Sequence, residues 1–216
     1  MTKRPVLLAA LILGGFAFVG TTLVVVTERL TAARIEQNHR EFLLKSLHEV
    51  LPRDELDNDL LADHYVTRIP ELAGDRPLTV FRARKAGKPV AALFSPVIAK
   101  GYSGPIELLV GVYADGRLAG ARVLSHMETP GLGDRIDTSK SDWILGFRGR
   151  SLGNPPEKQW KVKRDGGVFD QFTGATITPR GIVKALKTTL EYFRDHRDAL
   201  FAHPADEDHK TENHRD

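Results

Sequence analysis

The stretch DQFTGATIT, residues 170–178, lies directly before a predicted helix. That helix is predicted because Pro179 suits a first helical turn and an apolar stripe with helical spacing follows it: Ile182, Val183, Leu186, Leu190 and Phe193. Two small residues, Gly174 and Ala175, leave the hydroxyl groups on either side accessible. The start of a helix offers unpaired N–H groups and a positive dipole, which can hold a phosphate. The alternative is structural, because Thr178 is also a suitable N-cap before Pro179.

The middle of the chain is predicted to form strands. Short β-branched and aromatic segments are bounded by turn residues, and they are His64–Ile69, Leu78–Arg84, Pro89–Pro96, Ile106–Ala114 and Leu118–Ser125. Asp115-Gly116 joins the last two as a hairpin, because glycine supplies the positive φ that a tight turn needs. A short helix is expected at Ser141–Phe147. Strands between terminal helices predict an α+β domain with a mainly antiparallel sheet flanked by helices.

The N-terminal segment Pro5–Val26 contains 22 residues and no charge. As a helix it would be about 33 Å long, enough to cross a hydrocarbon core of about 30 Å. A cleaved signal peptide is the alternative, but the apolar run is longer than usual and no clear small-residue cleavage site closes it. Lys3 and Arg4 precede the run, which favours a cytoplasmic N-terminus and, in a bacterium, a periplasmic main domain.

A second helical pattern covers residues 28–51, and Pro52 ends it. We therefore expect four parts. Residues 1–27 form the cytoplasmic N-terminus and transmembrane anchor, and 28–63 form a helical connector. Residues 64–203 form the periplasmic domain, and 204–216 form a charged, flexible tail.

Composition excludes several classes of function. The chain has 216 residues and no cysteine, so thiolate metal sites, disulfides and thiol nucleophiles are ruled out. Lys3 and Arg4 are two of the 31 basic residues, so residues 28–216 carry 29 basic and 28 acidic residues, which does not indicate nucleic-acid binding. Phosphate-binding GxxxxGK[ST], HExxH and complete dinucleotide motifs are missing. A hydrolase, kinase or nicotinamide dehydrogenase acting alone is therefore not indicated.

Three blocks of sequence resemble one known family. The pattern Asp-x-x-[Ser/Thr]-Gly-Ala-Thr, found at 170–176, resembles the flavinylation motif of the FMN-binding domain family. His126–Gly133, HMETPGLG, is similar to the loop beside the flavin in that family, and Gly101–Ile106, GYSGPI, is similar to the segment leading into its central hairpin. The order and spacing of the blocks also fit, over roughly residues 100–190.

The resemblance implies that FMN is attached covalently to Thr176 through a phosphoester. A separate flavin transferase that uses FAD and Mg²⁺ would make this bond, so the chain itself would contain no catalytic residue and no metal site. Four positions complete the motif or match a frequent hydroxyl position after it: Thr173, Gly174, Ala175 and Thr178. Asp170 would help the transferase to recognise the site. Around the ring, we expect Pro130 and Leu132 to pack, and Glu128 and Thr129 to donate or accept hydrogen bonds.

Within that family, the length and the single anchor resemble the G subunit of the Rnf (Rsx) electron-transport complexes. The C subunit of sodium-pumping NADH:quinone reductases is the alternative, and a cofactor-free periplasmic scaffold of the same fold is another. The resemblance implies an electron carrier in the bacterial inner membrane, whose partners are the other membrane subunits of an ion-translocating complex. Such a chain would be a redox subunit that does not catalyse a reaction alone.

Overall fold

The computed structural model describes residues 3–202. The chain divides into two compact units, Met1–Lys45 and Ser46–Asp216. Helix α1, Lys3–Val50, begins in the first unit and ends in the second. Leu11–Ala32 in α1 is long and apolar enough to cross a membrane, judged by length and composition. The predicted anchor at 5–26 therefore overlaps a helical candidate span, and the helix ends before Pro52 as its sequence indicated.

Within residues 3–202, five strands form one antiparallel sheet whose spatial order follows the chain. The strands are β1 (His64–Thr67), β2 (Leu78–Lys85), β3 (Lys88–Lys100), β4 (Pro105–Tyr113) and β5 (Leu118–Ser125). A short helix, α2 (Pro70–Ala73), lies between β1 and β2. This sheet, with α1 and the last helix, confirms the predicted α+β class.

Strand β3 is longer than its sequence predicted. Pro96 cannot donate a backbone hydrogen bond, so the predicted strand ended there. In the structure, the pairing with β4 shifts its register between Phe94 and Val97, and the strand then continues to Lys100. The bulge thus accommodates Pro96 and carries β3 up to the loop at Gly101–Gly104.

Helix α3, Ile177–Ala202, covers one face of the sheet through its predicted apolar stripe. Gly181 brings α3 against the backbone of β3, since a Cβ there would lie 1.9 Å from the carbonyl oxygen of Lys100. The end of α1 covers the other face, where a Cβ on Gly111 would lie 2.6 Å from Val50 Cγ1. Both faces of the sheet are therefore buried, and the start of α3 is fixed relative to the end of β3.

Residues 143–176 form turns and short 3₁₀ helices instead of regular elements. The predicted helix at 141–147 is a 3₁₀ helix, Trp143–Phe147. Five aromatic rings in this segment make contact with one another, with centroids 4.7–6.5 Å apart: Trp143, Phe147, Trp160, Phe169 and Phe172. Because Phe172 belongs to this cluster, the turn that follows it is held in place. The tail predicted at 204–216 lies outside the described residues.

Candidate functional site

The three sequence blocks meet at one open cleft of about 180 Å³. The first block contributes Tyr102, and the second contributes Glu128, Thr129, Leu132 and Gly133. The third block and the start of α3 contribute the remaining lining residues: Gly174, Ala175, Thr176 and Ile177. Segments up to 75 residues apart in sequence thus build a single concave surface.

The turn before α3 places Thr176 in the lining of this cleft. The N–H of Ala175 donates to the carbonyl oxygen of Phe172 at 3.1 Å. Gly174 has φ +81°, a left-handed conformation that favours glycine. The carbonyl oxygen of Thr176 accepts a hydrogen bond from the N–H of Arg180 at 3.2 Å. Thr176 therefore occupies the N-cap position of α3 and leads directly into the first turn.

Thr178 has a different position from the one its sequence suggested. It is the second residue of α3 and fully buried, and its hydroxyl donates a hydrogen bond to Glu128 Oε2. The interpretation of Thr178 as the N-cap is wrong, because the helix begins one residue before it and its side chain bonds to another loop.

Glu128 is a buried carboxylate at the centre of the site, only 5% exposed. Its Oε2 accepts the hydrogen bond from the Thr178 hydroxyl, and its Oε1 accepts a hydrogen bond from the N–H of Ser103 at 2.9 Å. Gly101 and Gly133 both lie against this carboxylate. A Cβ added to either glycine would lie within 2.6 Å of a Glu128 carboxylate oxygen. Both carboxylate oxygens of Glu128 therefore accept hydrogen bonds from the protein. The expected contact between Glu128 and a ring in the cleft remains a prediction.

A cation lies beside the Thr176 hydroxyl. Arg164 Nη1 donates to Thr176 Oγ1 at 3.4 Å, and the N–H of Arg164 donates to the Gln171 side chain at 3.2 Å. A neighbouring pair joins the same segment to α3, with Arg180 bound to both oxygens of Asp165 at 2.6 and 2.8 Å. The hydrogen bonds from Arg180 hold the pKa of Asp165 below its ordinary value. The surface around Thr176 therefore offers donors suited to an anion.

Four of the predicted site residues lie outside the cleft lining, and one of them is the buried Thr178. The Asp170 carboxylate is exposed and pairs with Lys163 Nζ at 2.5 Å. Thr173 is exposed at the corner of the turn, and Pro130 is exposed beside the second block. Of the residues predicted to surround a ring, Thr129 and Leu132 line the cleft together with Glu128.

The structure adds site residues that the sequence did not single out. Tyr102 and Ile177 line the cleft, and Arg164 contacts the Thr176 hydroxyl. Tyr102 lies within a block quoted above, so its motif pointed to the region but not to the side chain. Arg164 lies in KVKRDGG, residues 161–167, where neither periodicity nor a motif distinguishes one basic residue from its neighbours.

Two family models match the chain. The FMN-binding domain matches residues 101–191, which contain all three blocks, and the RnfG N-terminal region matches residues 1–50. A solved structure of the C subunit of the Na(+)-translocating NADH-quinone reductase from Parabacteroides distasonis is also similar. It is 23% identical, with a TM-score of 0.46, over 69% of this chain and 73% of that one.

Curated relatives match almost the full length. The G subunit of the ion-translocating oxidoreductase complex of Pseudomonas aeruginosa is 48% identical, over 93% of this chain and 94% of its own. The G subunits of Shewanella loihica (44%, covering 94% and 96%) and Vibrio cholerae (43%, covering 90% and 93%) are similar. The chain therefore belongs to the G-subunit family of ion-translocating oxidoreductase complexes.

Proposed function

We propose that this chain is the electron-carrying subunit of a membrane-bound, ion-translocating oxidoreductase complex, and that it holds FMN covalently on Thr176. Family membership supports the complex, and the FMN-binding domain supports the cofactor. One observation carries the attachment site: Thr176 lines the cleft at the N-cap of α3, and the Arg164 guanidinium lies beside its hydroxyl.

The residues around the cleft fit a phosphate joined to a flat, largely apolar ring. Arg164 and the unpaired N–H groups at the start of α3 would hold the phosphate, because both present donors to an anion. Leu132 is 45% exposed, and its Cδ2 lies 3.5 Å from the position of a Cβ on Gly174. Leu132 and the small residues Gly174 and Ala175 would thus form an apolar wall for the ring, and Thr129 would supply a polar contact. A bound FMN would accept and donate one or two electrons.

Attachment needs a separate enzyme, which we propose is a flavin transferase using FAD and Mg²⁺. The side chain bonded to Thr176 is Arg164, a cation that cannot accept the proton of the hydroxyl. In the transfer, a bond forms between Thr176 Oγ1 and the FMN phosphorus, the P–O–P bond of FAD breaks, and AMP leaves. The hydroxyl proton passes to a base of the transferase. Asp170 is exposed outside the cleft, which supports contact with that enzyme.

We propose the following arrangement in the membrane. The N-terminus with Lys3 and Arg4 stays in the cytoplasm, residues 5–26 span the inner membrane, and the connector at 28–63 leads into a periplasmic domain at 64–203. The candidate span in α1 and the positive N-terminal charge support this orientation. A covalent bond would retain the cofactor outside the cytoplasm, and the other membrane subunits would exchange electrons with it.

The other candidates have less support. The relatives named as G subunits are 41–48% identical over nearly the whole chain, which favours the G subunit over the C subunit. A cofactor-free scaffold would not require a threonine in the cleft lining with a cation beside its hydroxyl. Flavin loading distinguishes the scaffold from the electron carrier.

In-gel fluorescence tests the proposal. The full-length chain, co-expressed with a flavin transferase, should give a fluorescent band on a denaturing gel. Thr176→Ala should abolish the band, whereas Thr138→Ala should retain it, because Thr138 is exposed and lies outside both the motif and the cleft lining. Thr138 is a better control than Thr178, which is buried and bonded to Glu128. A fluorescent Thr176→Ala band would overturn the assignment of the attachment residue.

A further inference from the structure

Tyr102 is an exposed aromatic side chain on a firmly held backbone. Its side chain is 71% exposed, although it lines the cleft. The N–H of Gly101 donates to the carbonyl oxygen of Gly104 at 2.9 Å, and the N–H of Ser103 donates to the buried Glu128 carboxylate at 2.9 Å. Hydrogen bonds thus fix the backbone on both sides of Tyr102, and its exposed side chain lines the cleft.

The same loop is fixed relative to the attachment residue. Lys100, directly before the loop, has its carbonyl oxygen against Gly181 of α3, where no Cβ could fit. Glu128 also bonds to Thr178, two residues after Thr176. Tyr102 and Thr176 are therefore attached to one rigid frame formed by β3, α3 and the Glu128 loop, so their separation is set by the fold.

Several apolar side chains that line the cleft are exposed to solvent. Besides Tyr102, the lining residues Leu132 and Ile177 are 45% and 41% exposed. Exposed apolar side chains gathered around a concave site mark a surface that a ligand covers. A ligand tethered at Thr176 would lie among these three side chains.

We propose that Tyr102 packs its ring against the isoalloxazine ring of FMN and is a positioning residue for the flavin. This inference rests on the proposed function. Aromatic rings favour offset or edge-to-face contact, and a tyrosine side chain has only two torsions to order on making such a contact. Tyr102 would thereby reduce the exposure of the flavin ring to water and fix its orientation.

The contact has a spectroscopic signature. A phenol in van der Waals contact quenches flavin fluorescence by giving an electron to the photoexcited ring and then taking it back. A phenylalanine ring packs similarly but is much harder to oxidise, whereas an indole is readily oxidised. Native flavin fluorescence should therefore be low in the parent chain and should increase when the chain unfolds in denaturant and the contact is lost.

The test is the ratio of native to denatured flavin emission in the full-length, flavinylated chain. Tyr102→Phe and Tyr102→Leu should raise this ratio severalfold, and Tyr102→Trp should restore quenching. Tyr113→Phe is the matched control, because Tyr113 is at the far end of β4, about 27 Å along the strand from Pro105. The control should have the same ratio as the parent chain.

The outcomes separate this inference from the proposed function. Equal ratios in Tyr102→Phe and the parent chain would overturn the contact even when the denaturing gel shows covalent flavin. A missing gel band would contradict covalent attachment, and the same series would then be measured with added free FMN. If free FMN does not bind either, both the contact and the flavin site are contradicted.

Discussion

Thr178 and Glu128, separated by 50 residues in sequence, are joined by a buried hydrogen bond from the threonine hydroxyl to Glu128 Oε2. Glu128 also accepts a hydrogen bond from the N–H of Ser103, so the bond to Thr178 connects the 126–133 and 101–104 loops to the first turn of α3. Because Thr176 is directly before that turn, this carboxylate fixes the place where we propose that FMN is attached.

The first prediction concerns this hydrogen bond. Thr178→Val keeps the shape of the side chain but removes the donor, which should reduce the free energy of unfolding by about 1–3 kcal/mol. Glu128→Gln should have a similar effect, because one of its two donors would then face an amide NH₂. The loss in the double variant should fall short of the sum of the single losses by at least about 0.5 kcal/mol.

Chemical denaturation of the full-length chain in detergent provides the measurement, since both tryptophans, Trp143 and Trp160, lie in the aromatic cluster of the domain. Thr173→Val, an exposed substitution, should stay within about 0.5 kcal/mol of the parent chain. Strictly additive effects of Glu128→Gln and Thr178→Val would show that the hydrogen bond does not contribute as described.

The second prediction uses a pair of glycines. Gly133→Ala would place a Cβ 2.6 Å from Glu128 Oε2 and 2.9 Å from Glu128 Cβ, so the buried carboxylate would have to move. We expect a loss of about 1–3 kcal/mol in stability and reduced flavin loading. Gly146→Ala is the control, because nothing lies within 4 Å of its added Cβ. Equal stability and loading of the two variants would contradict the packing described here.

The third prediction is the opposite of the usual effect of a glycine-to-alanine substitution in a helix. Replacing glycine by alanine inside a helix ordinarily stabilises it by about 1 kcal/mol. Gly181→Ala should instead destabilise the domain, because its Cβ would lie 1.9 Å from the backbone oxygen of Lys100. Thermal unfolding should show a lower midpoint than for the parent chain, whereas Lys184→Ala at an exposed position of α3 should change little. A stabilised Gly181→Ala variant would mean that α3 is not seated against β3 in this way.

The fourth prediction concerns alkaline pH. Burial raises the pKa of Tyr65 from 10.0 to about 12, with a smaller raising effect from Tyr192 and an opposing one from Arg82. The unfolded chain ionises this phenol at lower pH than the folded chain does, so the stability contribution is complete below pH 10. It is lost as the pH rises from 10 through about 12.

Tyr65→Phe removes this ionisation, so comparing this variant with the parent chain isolates the effect of the Tyr65 phenol. The free energy of unfolding of the parent chain should fall more steeply between pH 10 and 12 than that of Tyr65→Phe. Parallel curves for the two chains would show that Tyr65 ionises equally in both states.

Regular elements with a periodic pattern were predictable from the sequence. The hairpin at Asp115-Gly116 and the start of β5 agree with the structure because turn chemistry acts locally. The last helix was expected after Thr178 and begins at Ile177. The signals for a turn or a helix start come from residues that are neighbours in the sequence, so they can be recognised without the structure.

The site was predictable only in part. The motif placed Gly174 and Thr176 next to the helix, and the structure brings the three blocks together at one cleft. The partnership of Glu128 with Thr178 could not be predicted, because it is a tertiary contact between residues far apart in sequence. The position of Arg164 could not be predicted either, since it depends on the non-periodic segment that the aromatic cluster holds in place.

Mass spectrometry of the natively assembled complex tests the central claim most directly. The measured mass of the chain should exceed the mass calculated from its sequence by the mass of one FMN minus one water. Peptide mapping should place this addition on Thr176. An unmodified Thr176 in that material, or FMN on another residue, would contradict the account.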